Sequence, residues 1–166
     1  GGATPIFNWL ASLPADLLNE RPSLLLSYAS ALTYVGKSNE AEQYMQAAKS
    51  LLIAKPKLDT QERDLLGQIN ALEAMKAISH NDFEAIITHA EQAWENLLPD
   101  NETSRTTAAW AMGYAHQVQG NRAAALQAYH DVIAISQKTG NEIFLMGAMT
   151  GVGQIKESDN EFFTAA

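Results

Sequence analysis

The sequence predicts an all-α protein: a right-handed superhelix of antiparallel helix pairs, about four units long with incomplete ends. Three observations carry this prediction. Apolar residues recur at helical spacing along the 166 residues. Helix start and stop residues fall in order between the apolar stretches. A pattern of small residues also repeats around the inter-helix turns, which fall at Gly36, Asn81, Gly120 and Asn160, spaced 45, 39 and 40 residues apart.

In chain order, residues 5–20 read as a short helix, a break and a shorter helix, the trailing part (1–20) of a preceding unit. Pro14 suits the first turn of the shorter helix. From Pro22 a helix runs to about Val35, and Gly36 ends it as a left-handed C-cap. Asn39 and Glu42 have capping-box spacing for a helix over 39–54, which Pro56 closes off. Asp59 and Glu62 repeat that signal for 60–79. Asn81 and Glu84 do so for 82–97, ended by Pro99. Helices over 103–119 and 122–138 meet at Gly120-Asn121. Gly140-Asn141 then leads into 142–157, and Asn160 begins a last, short helix. On this reading the chain is one repeat domain, 1–166, and a piece of a larger protein. Its units are 22–57, 58–99, 102–139 and 141–166, the last truncated.

Aligned on the turns, the residue seven before is Ala29, Ala74, Gly113 or Gly153, and the residue five after is Ala41, Ile86, Ala125 or Ala165. Small side chains at these places let paired helices approach, and Tyr129, nine after its turn, fills the groove beside them; Ile86 breaks the pattern, and a slightly wider separation is expected there. This is the spacing of a tetratricopeptide (TPR) unit. The expected helix-packing residues are Ala29, Ala41, Ala74, Gly113, Ala125, Tyr129 and Gly153.

Composition removes several function classes. The chain is 46% hydrophobic and 18% charged, enough to bury a core. A net charge of −8 with scattered basic residues argues against gripping nucleic acid or an anionic membrane surface. Without cysteine there is no disulfide or thiolate site, which fits a cytoplasmic location. No apolar run approaches the ~20 residues that span a bilayer. There is no Walker-type phosphate loop; Gly147, Gly151 and Gly153 keep apolar company that suits helix packing. His80, His89, His116 and His130 never stand at the spacing of a helical metal pair, and His116 is expected as a hydrogen-bonded core residue. Acidic pairs such as Asp82/Glu84 sit at helix starts, where the helix dipole favours anions. No catalytic residue, cofactor or metal is expected.

What remains is the concave groove, lined in TPR arrays by the first helix of each unit. Trp110 and Tyr114, one turn apart, would form an aromatic platform flanked by Thr107, Gln117 and Arg105. Ser30, Tyr34 and Gln68 occupy matching positions earlier, and Thr150 and Gln154 later. Such a surface suits a small effector, a saccharide among them, or an extended protein or peptide segment. The competing reading packs Trp110 into the core. Apart from Arg105, the lining lacks the Lys, Arg and Asn that clamp acidic peptide tails.

Three stretches resemble the helical-repeat sensor region of MalT-type, LuxR-family transcriptional regulators of bacteria. They are Trp9-Leu10-Ala11-Ser12-Leu13-Pro14 with Leu17-Leu18 and Arg21-Pro22; Asn81-Asp82-Phe83-Glu84-Ala85-Ile86 with Ala90-Glu91-Gln92-Ala93; and Gly140-Asn141-Glu142 leading to Gly151-Val152-Gly153. The resemblance implies an effector- or partner-sensing segment acting in signal transduction. Any ATPase switch and DNA-binding domain would lie elsewhere in the parent. The alternative is a general TPR protein-interaction scaffold unrelated to transcription.

Overall fold

The computed structural model describes the backbone of residues 3–164; the side chains of 3, 4, 6, 15, 34 and 159–164 lie outside the described residues. The described elements are all helices: α1 (Ala3–Ala11), α2 (Ala15–Asn19), α3 (Pro22–Tyr34), α4 (Ser38–Ile53), α5 (Thr60–Ile78), α6 (Phe83–Asn96), α7 (Glu102–Val118), α8 (Arg122–Thr139) and α9 (Glu142–Thr164). Their bounds follow the sequence signals to within about two residues except at the end. There the structure corrects the reading: α9 runs through Asn160 without a turn. Asn81 can leave a helix because Asp82 follows to cap the next one; Asn160 is followed by Glu161, which is not an N-cap residue. The alignment of Gly153 and Ala165 on a fourth turn therefore lapses, and Ala165 itself lies outside the described residues.

Four tight turns share one geometry. Gly36, Asn81, Gly120 and Gly140 all have positive φ, between 54° and 83°. The amide of the following residue reaches back five positions: Lys37 to Leu32 (2.9 Å), Asp82 to Ala77 (3.2 Å), Asn121 to His116 (2.8 Å) and Asn141 to Ser136 (3.1 Å). This six-to-one closure satisfies carbonyls that the ending helix leaves open. At three of the turns the same residue then caps the helix it enters. Asp82 Oδ1 accepts from the amide of Ala85 (3.1 Å), Asn121 Oδ1 from Ala124 (3.5 Å) and Asn141 Oδ1 from Phe144 (3.4 Å). At the first turn that place is held by Lys37, which cannot accept; its ammonium pairs with Glu40 at 3.0 Å instead.

This sharing explains which capping boxes form. Asp59 and Glu62 make the full reciprocal box, at 2.8 and 3.1 Å. Lys55 also pairs with Glu62, and that hydrogen bond leads the causes that hold the Glu62 carboxyl below its ordinary value. The other two expected boxes are corrected. Asn39 lies inside α4, which begins at Ser38, and Asn81 is spent on the left-handed position.

The chain divides into two compact units, residues 1–69 and 70–166. In the first, α1 and α2 pack on α3, and α3 pairs with α4. Ala29 and Ala41 lie in a core with Leu25, Leu32, Leu52 and Ile69. Phe7, Tyr28 and Tyr44 continue it as a run of rings, with centroids 5.8 and 4.7 Å apart.

In the second unit α7 is packed on both sides through alanines. Ala111 and Ala115 meet Ala74, Ile86 and Ala90, while Ala108 meets Ala71, Ala93 and Leu97. On the other side Ala109 joins Ala125, Tyr129, Val132, Ala148 and Ile155 from α8 and α9. The Tyr129 ring lies between two glycines. A Cβ on Gly113 would come 2.7 Å from its Cδ1, and one on Gly151 would come 2.5 Å from its Cε2. Gly153, expected at such a contact, has nothing within 4 Å of its Cβ position. The close approach from α9 belongs to Gly151, because α9 packs on α8 and α7 without the turn that placed Gly153.

Two substitutions separate these glycines. Gly151→Ala drives a methyl into a ring with no room to retreat and should destabilise by ~1–3 kcal/mol. Gly153→Ala fills open space on a helix and should stabilise by ~0.5–1 kcal/mol. Urea denaturation of both variants measures the pair; equal effects would contradict this packing.

Candidate functional site

Trp110 and Tyr114 project from α7 one turn apart, and their rings stack with centroids 5.9 Å apart and planes within 7°. Phe144 from α9 meets Trp110 edge-on at 6.2 Å, and Phe83 from α6 leans on Tyr114 at 6.5 Å. Trp110 is therefore half-buried, packed on one edge and open on another. Beside the stacked pair is a cavity of about 380 Å³, within the range of small-ligand sites. Its wall continues through Gln117 and Val118 of α7, Tyr129 of α8, and Gly147, Thr150, Gly151 and Gln154 of α9. Gly147 lets α9 pass under the indole: a Cβ there would lie 3.3 Å from Trp110 Nε1.

A hydrogen-bond chain joins the three helices along this wall. The Tyr129 hydroxyl donates to Gln117 Oε1 at 2.7 Å, and Gln117 Nε2 donates to Gln154 Oε1 at 2.9 Å. The Thr150 hydroxyl donates to the Met146 carbonyl at 2.9 Å. Burial, with a smaller contribution from Tyr114, pushes the Tyr129 phenol up to about 12. It stays protonated, and the pocket wall carries no formal charge. Such a site has a flat apolar face, uncharged hydrogen-bonding edges and no nucleophile–base pair.

Of the residues expected in the groove, the pocket brings together Trp110, Tyr114 and Gln117, with Thr150 and Gln154. Two others are placed elsewhere. The Arg105 guanidinium lies 3.8 Å over the Trp94 ring and donates to the Leu97 carbonyl at 3.3 Å. The Thr107 hydroxyl turns back to the Thr103 carbonyl at 3.1 Å. In the first unit the Ser30 hydroxyl is likewise taken by the Leu26 carbonyl (3.0 Å), and Gln68 Nε2 donates to Asp64 at 2.9 Å. Gln68 lines a different pocket of about 410 Å³, charged through Arg21, Lys55 and Glu62. The Tyr34 side chain lies outside the described residues. Val118, Gly147 and Gly151 were not expected in a site, and Tyr129 was expected only in helix packing. For the two glycines the sequence signal is their spacing of four, which equally marks helix packing.

The histidines show no metal arrangement: among the described residues no group of three or more potential ligands lies together. His116 Nδ1 is buried without a hydrogen-bond partner, contrary to the expectation of a satisfied core histidine. The preceding turn of the same α7 face holds Met112 and Gly113, which offer it no oxygen or nitrogen side-chain partner.

Residues 67–166 match the family described as the MalT-like TPR region. The chain belongs to this family. The match contains all of α6 to α9 and hence the whole pocket, and it leaves residues 1–66 outside, including the Trp9–Pro14 and Arg21-Pro22 stretches. No curated protein and no solved structure matches the chain. As a MalT-like TPR region it carries no helix among the described residues that is long and apolar enough to cross a membrane.

The raised phenol of Tyr129 makes a prediction about alkaline stability. Below pH 10 the group is protonated folded or unfolded and adds no pH dependence. Between pH 10 and about 12 only the unfolded chain loses the proton, so stability falls across that window. Tyr28, also raised through burial, contributes in the same direction. Tyr129→Phe should therefore show a shallower alkaline loss than the parent in urea titrations at pH 9 to 12. Superimposable profiles would contradict the burial of this hydroxyl.

Proposed function

We propose that this chain is the effector-sensing segment of a LuxR/MalT-type transcriptional regulator. It acts by binding rather than catalysis, and its effector sits in the Trp110–Tyr114 pocket. One observation carries the reading. Within the family-matched span, stacked aromatic rings stand beside uncharged glutamine edges in a cavity of small-ligand size. A pyranose ring or a flat organic effector would lay an apolar face on the indole and direct its polar edge to Gln117 and Gln154. α7, α8 and α9 all contribute to the wall, so a ligand gains most when these helices hold this spacing. It biases a regulator between resting and active states only through different affinities for the two. The work would take place in the cytoplasm, with DNA contacted by a separate part of the parent.

A second reading, a general protein-interaction scaffold, is favoured by a different surface. Ile143, Met146 and Met149 stand 80%, 63% and 58% exposed on α9. Such a stripe suits a protein contact more than a small effector.

Titration with oligosaccharides and peptides, followed by tryptophan fluorescence, separates the readings. Trp110→Ala should weaken the effector about tenfold or more, as expected when ~1.4 kcal/mol or more of stacking is lost. If the variant binds every ligand as tightly as the parent, the pocket is not the sensor. If only proteins bind, and a Met146→Glu/Met149→Glu variant loses them, the scaffold reading takes its place.

A further inference from the structure

We propose that the Tyr129 phenol fixes the hydrogen-bond polarity of the pocket, making it selective for a neutral ligand that presents acceptors beside a flat apolar face. The inference rests on the pocket being a binding site and adds the chemical class it takes.

A glutamine amide can face a neighbour with its oxygen or its nitrogen, and the two ends select opposite ligands. Here the choice is passed along a chain. The Tyr129 ring is wedged between Gly113 and Gly151, so its hydroxyl cannot swing away from Gln117. That hydroxyl donates to Gln117 Oε1 at 2.7 Å, so Gln117 turns its nitrogen outward. Gln117 Nε2 then meets Gln154 Oε1 at 2.9 Å, which leaves the Gln154 nitrogen and both its hydrogens for the rim. The remaining N–H of Gln117 and the Trp110 indole N–H, close to the bare Cα of Gly147, are donors as well. Thr150 has given its proton to the Met146 carbonyl and offers lone pairs; the Tyr114 hydroxyl can turn either way. The balance is a donor-rich edge without a cation. A free anion would find no cation in the pocket wall, so the fitting ligand is an uncharged acceptor. A ligand with only donors would leave several N–H groups unpaired, and unmade bonds at a desolvated edge are what discriminate.

Tyr129 acts here as a positioning residue, and the test separates its hydroxyl from its ring. Quinoline and indole are flat, uncharged at pH 8 and similar in size; the first has one acceptor nitrogen and no donor, the second one donor. Each is titrated into the protein while the side-chain N–H resonances of Trp110, Gln117 and Gln154 are followed by NMR. In the parent, quinoline should bind about five- to tenfold more tightly than indole and move these resonances. Tyr129→Phe keeps the ring between the glycines but frees the Gln117 amide, and the preference should fall towards one. Gln117→Glu still accepts from Tyr129 but cannot donate to Gln154. The Gln154 amide must then turn its nitrogen to the new carboxylate and its oxygen to the pocket, so indole should become the preferred probe. Equal binding of the two probes by the parent, or an unchanged preference in both variants, overturns the polarity and leaves the pocket standing. If neither probe moves the three resonances, the pocket reading fails and the polarity fails with it.

Discussion

The second unit depends on one contact: an aromatic ring held between two backbones that have no side chains at that point. Tyr129 touches Gly113 on one side and Gly151 on the other, which ties three helices through one residue. Packing of this kind tolerates little change, since a single added methyl has nowhere to go. It also does two jobs. The buried face of the ring sets the helix spacing, and its hydroxyl, at the edge, becomes part of the pocket wall. Loss of the whole side chain therefore removes both contacts, while loss of the hydroxyl alone leaves the helix spacing in place.

A second constraint works at the helix ends. The shared turn geometry leaves one residue in the left-handed region and asks its successor to close one helix and open the next. Glycine supplies the first role at three turns and asparagine at Asn81; Asp or Asn supplies the second wherever Lys37 does not stand. These turns hold the helices next to one another in sequence as neighbours in space. The alanines of α7 then allow α6 on one side and α8 on the other to come close.

Much of this was legible in the residues. Gly36, Gly120, Gly140 and the prolines at 22, 56 and 99 placed the helices because their backbone limits act locally and do not depend on tertiary contacts. The Trp110–Tyr114 platform was legible for the same reason, since residues four apart on a helix must share a face. What failed was whatever needed a neighbour's identity. Asn160 carried a turn residue without the capping residue after it. Gly153 inherited its role from that absent turn, while Gly151, two positions earlier, faces the tyrosine. Arg105 was assigned to the groove by position, yet a guanidinium with Trp94 in reach stacks on it. The polarity of the glutamines could not be read at all, because it depends on a tyrosine hydroxyl twelve residues from Gln117.

The double duty of Asp82, Asn121 and Asn141 has an evolutionary corollary. A junction in which one amino acid terminates one rod and initiates the next has no slack, so an insertion or deletion there would break both ends at once. Changes in length would be better tolerated in the looser proline-bearing segments around 54–59 and 97–101. Spacer length can change there while the helices on either side keep their dimensions, so turns can follow one another in the sequence at 45 residues in one place and 39 in the next.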